Sequence, residues 1–179
     1  MKTTTFGLYV GVCLQVVAAG ASAGTGFDLG GLEPGKMTMR GHYDGVKTTA
    51  SYTVTRERCD GKPCIHAVWD CEVKTIDMWL WPDARPIRTR YEKHREKTAV
   101  VIEYTPRGAV YRRTRDGETT TTRVRVPDLL ETLSVDVIFL GFPFQNPKEI
   151  EFRGLDADSD DGEDYGFEVE LDGVETLTI

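Results

Sequence analysis

A two-residue alternation running from residue 46 to residue 73 limits this chain more than any other feature. Val46, Thr48, Ala50, Tyr52 and Val54 fall on even positions, with Lys47, Thr49, Ser51, Thr53 and Thr55 between them. After a break the apolar set moves to odd positions, as Ile65, Ala67, Trp69, Cys71 and Val73, with Cys64, His66, Val68, Asp70 and Glu72 between. Successive side chains of a strand point to opposite faces, so each run reads as a half-buried strand. Asp60-Gly61-Lys62-Pro63 joins them, and a four-residue loop there sets Cys59 opposite Cys64, Tyr52 opposite Cys71 and Val54 opposite Trp69. That register keeps both apolar sets on one face, which a one-residue slip would not.

The same pattern recurs downstream. Val100, Ile102 and Tyr104 alternate with Val101, Glu103 and Thr105, and a turn at Pro106-Arg107-Gly108 brings Ala109 opposite Tyr104 and Tyr111 opposite Ile102. Asp116-Gly117 is a strong two-residue hairpin signal, pairing Arg115 with Glu118, Tyr111 with Thr122 and Ala109 with Val124. Pro127 can open a helix, and Leu129, Leu130, Leu133 and Val137 follow at helical spacing, which predicts a short helix from about Pro127 to about Ile138. Lys148 to Arg153 and Tyr165 to Thr178 read as two more strands around the acidic loop Asp156 to Asp164. The expected fold is mainly β: an antiparallel meander forming a twisted, half-open barrel with one short helix over its apolar face.

The first 23 residues read as a signal peptide and not as part of this fold. Met1-Lys2 gives a positive start, Phe6 to Ala19 is apolar, and Ala21-Ser22-Ala23 has the small-x-small pattern of a cleavage site. Residues 24–179 then make a single β domain that is periplasmic or secreted, and no later run is long enough to span a membrane. The whole chain carries a formal charge of −7. Its halves differ: Arg85 to Arg125 holds 12 basic and 5 acidic residues, Lys148 to Ile179 holds 2 basic and 12 acidic ones. Export and an acidic whole exclude a nucleic-acid binder despite the basic run around Tyr91, because such affinity rests on phosphate contacts. Complementarity between strands of one chain is the simpler reading of the asymmetry, a partner surface the other.

Candidate sites are few. Cys59 and Cys64 are the expected disulfide, as neighbours across the hairpin in a compartment where disulfides persist; the short loop limits its worth to about 2–3 kcal/mol. Cys71 is the odd thiol on the apolar face, and a zinc site from Cys59, Cys64, His66 and Cys71 fails because Cys71 points away from the rest. Asp156, Asp158 and Asp160 stand at alternate positions before Gly162, like a calcium loop, but with the glycine and Glu168 each one residue late for an EF-hand. Low-affinity calcium is thus the only cofactor the residues suggest. Trp79, Trp81, Phe139, Phe142 and Phe144 make two aromatic-rich segments where regular pairing fails, and these could line an apolar cavity or simply fill a core. His66, with Glu57 facing it, reads as a surface pair, and no nucleophile elbow, HExxH, phosphate loop or dinucleotide fingerprint occurs.

Arg85-Pro-Ile-Arg88-Thr-Arg90-Tyr91 leading into a hairpin, the Leu-rich segment after Pro127, Phe142-Pro143-Phe144 and the last strand from Val169 to Leu177 together resemble an uncharacterised family of bacterial periplasmic proteins, a domain of unknown function. Its open β-barrel is similar to the lipoprotein-carrier proteins. The resemblance covers most of Tyr52 to Ile179 and implies a half-barrel around a helix, with no cofactor and no established activity; such proteins continue past the last strand, so a C-terminally truncated chain is expected. The functional expectation is a non-enzymatic periplasmic binding or scaffold protein holding an apolar ligand such as a lipid or acyl chain. The rivals are a structural or protein-interaction module of the cell envelope and an unrecognised hydrolase.

Overall fold

The computed structural model describes residues 28–43, 46–125, 129–131, 149–155 and 164–170. Eight strands follow one another as β1 (Gly35–Tyr43), β2 (Val46–Cys59), β3 (Lys62–Cys71), β4 (Lys74–Leu80), β5 (Pro86–Lys93), β6 (Thr98–Thr105), β7 (Gly108–Arg115) and β8 (Glu118–Val124). They form one antiparallel sheet in the order of the chain, with β1 and β8 as its ends, so the sheet is not closed. A second sheet holds β9 (Leu129–Glu131), β10 (Glu149–Leu155) and β11 (Asp164–Glu170); β10 pairs antiparallel with β11 and parallel with β9.

Two hairpins have the register expected from their turns: Ile102 faces Tyr111 and Tyr104 faces Ala109, while Arg115 faces Glu118 and Ala109 faces Val124. The β2–β3 hairpin departs by two residues. Cys59 faces Lys62, Tyr52 faces Trp69 and Val54 faces Ala67, because the turn is the two-residue Asp60-Gly61. Both turn residues have positive φ, 49° and 76°, as do Asp116 and Gly117 at the β7–β8 turn, 51° and 84°. This backbone matches the right-handed twist of the flanking strands, and Asp-Gly adopts it readily. A shift of two preserves every face, so the sidedness read from the alternation holds.

The helix expected over Pro127 to Ile138 meets a correction at its start: Leu129–Glu131 is strand β9, with Arg153 and Leu155 of β10 opposite Leu129 and Glu131. Adjacent leucines suit a buried strand as well as a helix, and a short apolar run does not separate the two. Among the described residues there is no helix; the rest of the predicted one lies outside them.

One face of the eight-stranded sheet is the core. Along one cross-strand row stand Val54, Ala67, Met78, Thr89, Ile102 and Tyr111, and along the next Tyr52, Trp69, Ile76, Tyr91 and Val100. Ala67, Met78, Thr89 and Ile102 are each 0% exposed, and Met78 fits because its two neighbours in the row are small. Leu29, Ala84 and Leu155 complete the same cluster. Leu29 is tied down by its amide, which donates to the Pro82 carbonyl at 2.6 Å, and the following turn is held by Arg56, whose Nη2 donates to the carbonyls of Gly30 and Leu32. Lys74 is buried at the end of the core, its ammonium 4.9 Å from the Trp69 ring centre and 5.6 Å from that of Tyr91, where the ring faces attract the cation.

Candidate functional site on the outer sheet face

The opposite face is polar, and its side chains also align in cross-strand rows. One row reads Thr55, His66, Trp79, Arg88, Glu103, Val110 and Arg123, from β2 to β8. Alternation explains how a tryptophan comes to stand there: Met78 and Leu80 point into the core, so Trp79 between them must point out. It is half-buried because its neighbours in the row cover it. His66 stacks on the indole with ring centres 4.3 Å apart and planes 7° from parallel, and the Arg88 guanidinium lies 5.7 Å from the ring centre.

Two carboxylates close around this stack. His66 Nδ1 is 2.9 Å from Glu57 Oε1, and His66 Nε2 is 3.2 Å from Asp77 Oδ1. The second oxygen of Glu57 accepts from the Trp79 indole N–H at 3.3 Å. Glu57 faces Cys64 and reaches His66 diagonally, a consequence of the two-residue register shift. The hydrogen bond from His66 is the chief cause holding the Glu57 carboxyl below the usual carboxylate range, against a smaller opposing effect of burial. The site is shallow: the His66 side chain is 18% exposed and that of Glu57 44%.

A second histidine network lies two rows away on the same face. The Thr75 hydroxyl donates to Asp70 at 2.7 Å and sits 3.0 Å from His94 Nε2, while His94 Nδ1 is 3.1 Å from the Glu72 carbonyl. Further along, Arg90 pairs with Glu92 and Arg112 with Glu103, so two cations of the basic stretch between Arg85 and Arg125 are matched by acids of its own strands.

The expected site residues divide three ways. Cys59 and Cys64 form a disulfide with Cα atoms 5.8 Å apart, diagonal to each other across the hairpin, and Cys71 is a buried free thiol. Oxidation removes two thiolates from the zinc set, and among the described residues no three acidic, histidine or cysteine groups are placed to hold a metal. Trp79 stands on the outer face, away from the apolar interior, and Trp81 lies half-buried in the β4–β5 connection with Lys62 Nζ 6.0 Å from its ring centre. Phe139, Phe142 and Phe144, and the acidic positions Asp156, Asp158 and Asp160, lie outside the described residues. Asp77 and Arg88 are the members of the outer cluster that sequence reasoning passes over; the signal for them is the alternation of β4 continued into β5. No protein-family model matches the chain, and no curated protein or solved structure matches it.

Proposed function

We propose that this chain is an exported, non-enzymatic scaffold or interaction module of the cell envelope, working through the surfaces of its sheets. The observation that carries the reading is the packing of the inner face. Ala67, Met78, Leu80, Thr89 and Ile102 are each 0% exposed, so no void large enough for water touches them, and Leu29, Ala84 and Leu155 pack in the same cluster. An acyl chain needs a lined cavity, and Trp79, one of the residues offered to line it, faces the other way. Met1 to Ala23 supports export, and the resemblance to periplasmic open-barrel proteins supports an envelope role and a meander curved into a half-open barrel. A hydrolase is disfavoured by the pairing of both His66 ring nitrogens with carboxylates, no serine or thiol being bonded to the ring among the described residues.

Native mass spectrometry of the protein purified from the envelope fraction tests this reading. The expected result is a polypeptide mass with no retained lipid and no uptake of a fluorescent fatty acid at micromolar concentration. A co-purifying lipid that is lost when Phe142 is changed to Ala would replace the module with a carrier. Recovery of the chain in the cytosolic fraction with residues 1–23 still attached would remove the envelope assignment.

A further inference from the structure

We propose that Glu57, His66 and Asp77, with Trp79 beneath the imidazole, form a proton-operated clasp that fastens β2, β3 and β4 together on the outer face. The argument is a count of donors. An ionised carboxylate only accepts, and a neutral imidazole has one N–H and one bare nitrogen. Both ring nitrogens of His66 stand within hydrogen-bond distance of a carboxylate oxygen, at 2.9 Å and 3.2 Å. Only the doubly protonated ring donates in both directions. When it loses a proton, one nitrogen lone pair is left facing a carboxylate, which repels it, and one of the two strands is released from the contact.

The groups that face the ring fit this assignment. From β2 comes Glu57, whose carboxyl lies below the usual range because His66 bonds to it and which also takes the indole N–H. From β4 come Asp77 and the Trp79 ring, whose π-face favours a cation against it. From β5, Arg88 lies 5.7 Å from the centre of that indole and Arg90 stands opposite Asp77, its guanidinium held by Glu92. The cluster of Glu57, His66, Asp77 and Arg88 is thus neutral when the ring is protonated and carries one net negative charge when it is not. A partner docking on this face would meet a different surface in the two protonation states of the ring.

Trp79 reports the event, because an excited indole passes an electron to an imidazolium far more readily than to a neutral imidazole. Tryptophan emission of the disulfide-intact chain is to be followed from about pH 5 to about pH 8, the span in which histidines ordinarily titrate, beside nitrogen-15 spectra of the histidine rings. The expected result is emission that rises with pH in the wild type and is flat in His66→Gln, with both His66 ring protons held at the acid end. In Asp77→Asn the amide can donate to the bare nitrogen, which favours the neutral ring already at the acid end, so less quenching is there to be relieved and the rise is reduced. Emission that is flat in the wild type, or that rises equally in His66→Gln, overturns the proposal, as does an Asp77→Asn response indistinguishable from the wild type. Should His66→Gln not fold by circular dichroism, Asp77→Asn and the wild-type ring spectra decide alone.

Discussion

Truncating Met78 and Trp79 separately tests the two-faced character of the sheet at adjacent residues. Met78 is 0% exposed and its cross-strand neighbours are Ala67 and Thr89, side chains too short to move into the space a missing thioether leaves. Met→Ala substitutions in cores cost roughly 2–5 kcal/mol, rising with the volume of the cavity that persists, so Met78→Ala belongs in the upper half, about 3–5 kcal/mol. Trp79→Ala removes a larger side chain but only outer-face contacts: the stack on His66, worth about 0.5–1.5 kcal/mol, the Arg88 contact, about 0.5–1 kcal/mol at an exposed site, and the long indole N–H bond to Glu57, about 0.5 kcal/mol. Its expected cost is the sum of these, about 1.5–3 kcal/mol. Urea unfolding followed by far-UV circular dichroism measures both, and against a total stability of roughly 5–15 kcal/mol the difference is readily resolved. A Trp79→Ala variant less stable than Met78→Ala would mean that the faces are assigned the wrong way round.

Two further outcomes follow from named contacts. Replacing Cys59 and Cys64 together by Ser opens a loop with a sequence separation of 5, for which chain entropy gives about 2 kcal/mol of lost stability, readable as a lower urea midpoint than that of the wild type under oxidising conditions; an unchanged midpoint would show that the hairpin turn alone sets this region. Glu57 has its folded-state carboxyl below the unfolded value, so its contribution is present above the unfolded range, near pH 4.5, and is lost as pH falls through the lower folded value. Glu57→Gln is therefore expected to flatten the acid limb of the stability curve while leaving most of the neutral stability in place, since the group is well exposed; an acid limb as steep as the wild type's would refute the bond from His66.

Sidedness is the property most legible in the sequence, because a period of two survives any error of register that is even. That is why Ile65, Ala67, Trp69 and Cys71 share the core face with Tyr52 and Val54 although the β2–β3 pairing is displaced by two. The displacement has a plain source: two cysteines five residues apart invite a directly opposed pair, whereas a disulfide spans the diagonal equally well, and Asp60-Gly61 carries the same turn chemistry as Asp116-Gly117. At the end of β4 the run Met78-Trp79-Leu80, continued by Trp81 just beyond the strand, hides its alternation, since every residue is apolar. Periodicity could not show that His66, Trp79 and Arg88 stack, because stacking depends on the β3–β4 and β4–β5 registers, and the second of these is broken by an irregularity between Trp79 and Leu80. Leu129 to Glu131 was open to either assignment, as three residues do not complete one helical turn.

The identity of sheet order and chain order has a consequence for how the molecule is built in time. Each of the eight strands pairs only with its predecessor and successor, so hairpins can zip in the sequence in which a vectorially delivered chain presents them, with little loop-closure entropy to overcome at any step. Covering the sheet is a different matter. Leu155, which is fully buried in the core, arrives more than thirty residues after the eighth strand has ended. A nascent sheet whose apolar side still lacks Leu155 therefore precedes the finished one, and that interval is when a holding chaperone, or a neighbouring copy of the same half-built chain, has something to grip.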